Sequence, residues 1–178
     1  MQQYLITTDE VSKLARTISV HIDAEKIETY IRESENIDLK LALGDALLLD
    51  VKEHQENYDE LLNGGSYDAG YGEKRSFVGL KTALAYYTYA RIVKNGDGNV
   101  TRLGFMNKDN EYSSRPDFKE KLMAYNDAFS VADRYLKECV RYLNDNRHSF
   151  PLYRGNGGLT ANRVTCRVLS AAFTLILT

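Results

Sequence analysis

A chain of 178 residues fits one domain with a core of its own, and 43% hydrophobic with 27% charged residues is too apolar for a chain disordered throughout. A formal charge of -2 excludes a global attraction to polyanions. Cys139 and Cys166, distant in sequence and without a CxxC or CxxH neighbour, exclude a zinc site.

The opening residues 1–6 carry neither the basic segment nor the apolar stretch of a secretory signal, and no run of 18 apolar residues follows, so synthesis in a cytoplasm without export or membrane insertion is expected. Thr7 followed three residues later by Glu10 is a capping box, and Val11, Leu14, Ala15 and Ile18 continue at helical spacing. A short first helix is predicted there. Asp23 caps a second over about 24–35, with Ile27, Tyr30 and Ile31 on one face until Asn36 interrupts the pattern.

From Ile37 the pattern restarts through Leu39, Leu41, Leu43, Ala46, Leu47, Leu48 and Val51, around a Gly44 that bends or splits the helix. Tyr58, Leu61 and Leu62 form an amphipathic turn ending at Asn63-Gly64-Gly65, a left-handed cap. Ser66 to Ser76, rich in glycine and tyrosine, reads as a loop or irregular hairpin. Phe77 to Lys94 is apolar on every side, the mark of a buried central helix, and Asn95 to Asn99 ends it.

Val100 to Phe105 reads as extended. Pro116 then opens a long amphipathic helix, in which Phe118, Leu122, Tyr125, Phe129, Ala132, Leu136, Cys139 and Leu143 alternate by threes and fours. Cys139 falls on its apolar stripe and reads as a small buried hydrophobe. Beyond Pro151, Arg154 to Gly158 forms a hinge, and the acid-free stretch from Arg163 to Thr178 is rich in β-formers. Residues 1–153 are therefore read as a helical domain and 154–178 as a tail. That tail either folds back or reaches a neighbouring chain, for which Arg154, Arg163, Arg167, Phe173, Leu175 and Ile176 are the candidate contacts.

The fold class that emerges is mainly α: a helical bundle with a long amphipathic helix, irregular loops or a small hairpin, and an extended tail. Catalytic and metal constellations are not predicted. His21, His54 and His148 lack partners at metal spacing, no Walker motif occurs, and Asn95-Gly-Asp97-Gly-Asn99 fails as a calcium loop because Val100 and Met106 stand where glycine and glutamate are needed. Carboxylate pairs such as Asp59-Glu60 read as solvated. The chain is expected to be no enzyme and to need no cofactor.

Charge is polar along the chain: residues 1–63 hold 14 acids and 6 bases, residues 64–178 hold 11 acids and 17 bases. If the two halves map onto different faces, head-to-tail self-association follows. Thirteen Tyr and no Trp fit either core filler or surfaces buried late. A basic strip containing Lys74, Arg75, Lys81, Arg91, Lys94, Arg102 and Lys108 supplies candidate DNA-facing residues, chiefly Lys74, Arg75, Arg102 and Lys108.

Four segments carry a resemblance: Tyr4-Leu-Ile-Thr-Thr-Asp-Glu-Val, Ile37-Asp-Leu-Lys-Leu-Ala-Leu-Gly-Asp-Ala-Leu, Tyr58-Asp-Glu-Leu-Leu-Asn-Gly-Gly and Phe77-Val-Gly-Leu-Lys-Thr-Ala-Leu-Ala-Tyr-Tyr. In order and wording they resemble the head-tail connector (adaptor) proteins of tailed bacteriophages, particularly those of Bacteroides phages and the crAss-like group. The likeness covers about residues 4–153 and involves no reactive motif. It implies a helical virion subunit at the head-tail junction, assembled as a homo-oligomeric, usually dodecameric ring between the portal protein and other neck or tail proteins, with DNA passing non-specifically through its lumen. The competing reading from the residues alone is a small cytoplasmic nucleic-acid-binding or regulatory protein using the 74–108 strip.

Overall fold

The computed structural model describes residues 4–18, 22–70, 72–95, 98–101, 104–107 and 118–155. Helix α1 (Thr8–Leu14) starts where the capping box predicts: Thr7 Oγ1 accepts from the Glu10 amide at 3.2 Å, and Glu10 Oε2 accepts from the Thr7 amide at 2.8 Å. Helix α2 (Ala24–Ser34) starts on Asp23, whose carboxylate accepts from the Glu25 amide at 3.1 Å.

Asn36 does not end this helix, contrary to the sequence expectation. The chain passes through it in a π-helical turn (Glu35–Leu39) and continues directly into α3 (Lys40–Leu43), while the Asn36 side chain donates back to the Arg32 carbonyl. After Ile27 and Ile31 the buried positions come in adjacent pairs four residues apart, Ser34 with Glu35, Asp38 with Leu39 and Ala42 with Leu43. At 3.6 residues per turn such a stripe drifts around an α-helix, and a wider π turn resets it toward the core.

Gly44 splits the rod as predicted. Its φ of +81 and ψ of 163 break the helix between α3 and α4 (Asp45–Glu53), a conformation that only glycine adopts without strain. A 3-10 turn (Gln55–Tyr58) leads into α5 (Asp59–Asn63). Gly64 follows with φ +81 but an extended ψ of 178, so the helix ends by leaving in an extended direction and not in the left-handed cap the sequence pointed to.

Strands β1 (Gly65–Asp68) and β2 (Lys74–Phe77) pair as a regular antiparallel hairpin, with Gly65 opposite Phe77 and Asp68 opposite Lys74. Phe77, expected at the head of the central helix, therefore belongs to a strand. Helix α6 (Leu80–Asn95) starts after it and is buried from its first residue, as its all-round apolarity predicts. The described ends of the stretch expected to be extended belong to two antiparallel strands, β3 (Gly98–Thr101) and β4 (Gly104–Asn107).

Helix α7 (Phe118–Asp145) lies antiparallel to α6 and packs along it; Pro116, expected to open it, lies outside the described residues. Ala132, Leu136, Cys139 and Leu143 are buried as the stripe predicts. Each large aliphatic side chain so covered contributes about 1.5–3 kcal/mol. Helices α1 and α2 pack on α6 as well, so the central helix is enclosed by its neighbours. Among the described residues the architecture is mainly α with two small two-stranded sheets.

Candidate functional site

Tyrosine owes its abundance partly to a recurrent device. Four rings are packed against the core while their hydroxyls donate to carboxylates on other elements: Tyr58 to Asp50, Tyr67 to Asp145 at 2.8 Å, Tyr87 to Asp133, and Tyr142 to Glu60 at 2.9 Å. Phe77 stacks on Tyr142 with ring centroids 4.4 Å apart, and Tyr67 meets both rings edge-on, so the β1–β2 hairpin is fastened to the end of α7. Burial, reinforced by the neighbouring carboxylates, pushes the Tyr58 hydroxyl up to about 12 and raises Tyr67 and Tyr142 too.

A second polar constellation sits on the π turn, where two acids are buried. Glu35 accepts from the Leu5 amide at 2.7 Å and pairs with Lys52 of α4, tying the N-terminal arm to two helices. Asp38 lies 2.8 Å from Arg91 Nη2, while the same guanidinium approaches Glu33 at 3.5 Å and donates to Ser34 Oγ at 3.1 Å. Every charge here meets an opposite one, which is the condition for keeping charges buried. The chemistry of the cluster is fastening.

The same pairing engages three members of the basic strip read from the sequence. Arg75 is clamped between Glu73 and Asp145, each 2.8 Å away, and these carboxylates raise its pKa further. Lys81 pairs with Glu10 at 3.2 Å, Arg91 with the π turn, and Lys94 lies over the Tyr125 ring at 4.9 Å. Lys74 alone of the four chief candidates is described as exposed; Arg102 and Lys108 lie outside the described residues. Of the candidate tail contacts, Arg154 is exposed just after the buried Tyr153, and Arg163, Arg167, Phe173, Leu175 and Ile176 lie outside the described residues.

Burial pushes the Glu10 carboxyl up, but the Thr7 amide and Lys81 outweigh it and hold the group below its ordinary 4.5. Glu10 and Lys81 line a half-open cleft of about 430 Å³ between the N-terminal arm and α2, with Tyr4, Glu28 and Gln55. Lys81 pairs with Glu10 there, and Glu28 adds a second acid to the lining. No group of three metal-binding side chains comes together among the described residues, and no described helix is long and apolar enough to cross a membrane.

Sequence reasoning overlooked three features on the outside. Helix α7 has 28 residues against 16 in α6, about 42 Å against 24 Å at 1.5 Å per residue. With Tyr125 already level with Lys94 at the end of α6, the first turns of α7 overhang, and Leu122 and Met123 there are 39% and 64% exposed. Leu122 was expected on the buried stripe. The stripe runs on past the helix that covers it, which periodicity cannot reveal because it reports a face and not what lies against it.

Farther along α7, Arg134, Lys137 and Arg141 are exposed on the side opposite Ala132, Leu136 and Cys139. Among the described residues no ion pair engages them. Spacings of three and four, out of phase with the apolar stripe, are the signal that would have found them. The third feature is an acidic ridge on α4, the 3-10 turn and α5, where Glu53, Glu56, Asp59 and Glu60 are exposed. Lys52, the sole Lys or Arg between Asp45 and Glu60, is turned inward to Glu35, and the ridge has only His54 near Asp50 and Glu56, at 4.0 and 3.8 Å.

No curated protein and no solved structure matches the chain. A family model does match, over residues 39–163, from the π turn through α7 and more than two thirds of the sequence. The chain belongs to that family, described as a family of unknown function (DUF6712).

Proposed function

We propose that this chain is a virion structural protein of a tailed bacteriophage, a subunit of a ring in the neck between the portal and further tail components, with DNA passing through the lumen. The observation that carries the reading is the overhang of α7. An amphipathic helix that presents Leu122 and Met123 beyond its own covering helix has an apolar surface suited to another chain. The segment-level resemblance to head-tail connectors supplies the identity of that setting, and the paired, inward-turned state of the charged side chains on the π turn fits a framework more than a reactive centre.

The test is the mass of the native assembly of the full chain, alone and with the portal, together with imaging of intact particles. A ring-sized species and density for the chain at the neck are expected. Absence of the chain from the neck, or turnover of a substrate by the purified protein, sinks the reading. Truncation after Tyr153 tests the tail separately: loss of portal binding is expected, and normal ring assembly with normal portal binding shows that residues 154–178 are not the contact.

A further inference from the structure

We infer that the outer basic stripe of α7 in one copy docks on the acidic ridge of α4, the 3-10 turn and α5 in the next copy. The inference deepens the ring reading and rests on it. Two surfaces of opposite sign face outward on one chain: Arg134, Lys137 and Arg141 on the first, and Glu53, Glu56 and Asp59 on the second, where among the described residues no Lys or Arg pairs with the acids and only His54 stands near Glu56. Asp133 and Glu138 are the acids that border the stripe in sequence; both are half-buried and Asp133 accepts from Tyr87, so the face stays positive.

Geometry keeps the two surfaces apart within a copy. The ridge is fastened to α7 through Tyr142, which donates to Glu60 at 2.9 Å. Arg141 precedes Tyr142 by one residue and so projects about 100° away from it around the helix. Stripe and ridge thus face different directions, which is the requirement for a heterologous contact, where one patch meets a different patch on the next copy. Such a contact propagates in one sense and closes into a ring when the rotation between copies allows it. A symmetric two-fold dimer would instead bring each stripe onto a ridge twice and stop there.

The stripe also has the sign to meet nucleic-acid phosphates, but the ridge has no counterpart in that reading. In a ring one neighbouring copy takes the stripe and the other takes the ridge, so copies of this chain satisfy both surfaces, and that decides between them. The contact is a charged one at an interface edge, so it weakens with salt and governs partner choice as well as strength.

The experiment uses the full chain and three preparations: the wild type, R134E/K137E/R141E, and E53K/E56K/D59K, with folding checked by circular dichroism and melting. Light scattering across protein and salt concentration reads the assembly. The wild type is expected to associate and to weaken at high salt, each reversed variant alone to lose roughly a hundredfold in self-affinity, and an equimolar mixture of the two variants to recover assembly, because every contact in an alternating ring is again complementary. Assemblies that neither reversal disturbs overturn the docking while leaving the ring itself standing. A wild type that remains monomeric at low salt overturns it as well. Loss of duplex DNA binding in R134E/K137E/R141E with assembly unchanged reassigns the stripe to nucleic acid and overturns it too.

Discussion

Gly64 and Gly79 stand back to back at the base of the β1–β2 hairpin, each occupying the space the other's side chain would need. A Cβ on Gly64 would lie 2.5 Å from the Val78 carbonyl carbon and 2.6 Å from the Gly79 nitrogen; a Cβ on Gly79 would lie 2.5 Å from the Asn63 carbonyl carbon and from the Gly64 nitrogen. Both residues also have positive φ, +81 and +86. The hairpin can leave the helical body and return only because two backbones cross here without side chains.

G64A and G79A are therefore each expected to destabilise the fold by about 3 kcal/mol or more, since backbone on both sides must move. Gly44 has the same φ but open space around it, so G44A should cost only about 1–2 kcal/mol. Urea unfolding of the three variants measures the contrast. Equal losses in all three would show that φ alone matters and that the crossing is not tight.

Glu35 is the fastener of the N-terminal arm. Replacing it with alanine leaves the Leu5 amide without its acceptor and Lys52 without its counter-charge, and about 3–5 kcal/mol of stability should be lost. Hydrogen exchange adds a local readout: the Leu5 amide should exchange far faster relative to global unfolding in Glu35→Ala than in the wild type. Unchanged Leu5 protection would mean that the arm is held by the burial of Leu5 and Ile6 alone.

The tyrosine staples predict an alkaline limit. For Tyr58 the folded state holds the hydroxyl proton up to about 12, against an ordinary 10.0, so the folded form binds more protons than the unfolded form between these values. Stability is then fully present below pH 10 and lost as the pH climbs toward 12, with Tyr67 and Tyr142 acting in the same direction. Denaturant midpoints measured from pH 8 upward should fall in that window, and Tyr58→Phe should flatten the fall. Tyrosinate absorbance that titrates fully at 10.0 before unfolding would contradict the staples.

Cys139 has no exposure, and burial chiefly pushes its thiol up to about 12. In a Cys166→Ser chain at pH 8 it should resist alkylation, with labelling limited by opening of the fold and accelerated by urea. Rapid labelling of the native protein would place α7 away from α6.

Much of the helical framework was legible in the sequence because its causes are local. The Thr7 to Glu10 box, the Asp23 cap, the Gly44 break and the α7 stripe each depend on residues within a turn or two of one another. The interruption expected at Asn36 was misplaced because that reading saw only a polar residue on an apolar face, whereas the helix continues through it in a π turn that buries Glu35, Asp38 and Leu39. Three members of the basic strip are engaged in ways the sequence could not show: Arg75, Lys81 and Arg91 are neighbours in sequence, but their partners, Asp145, Glu10 and Asp38, come from three other elements.

The sequence by itself determined which segments are helical, where the two capped helices α1 and α2 start, and that α6 is the central one, because capping and hydrophobic periodicity act through bonded neighbours and solvent exclusion. Only the tertiary structure decided that Glu35 and Asp38 are buried, that α7 outruns α6 to leave Leu122 and Met123 uncovered, and that Arg134, Lys137 and Arg141 face outward unpaired by any described acid. The physical reason is that a charge or an apolar side chain acquires its role from what stands opposite it, and the groups opposite these residues come from distant parts of the chain or lie beyond it.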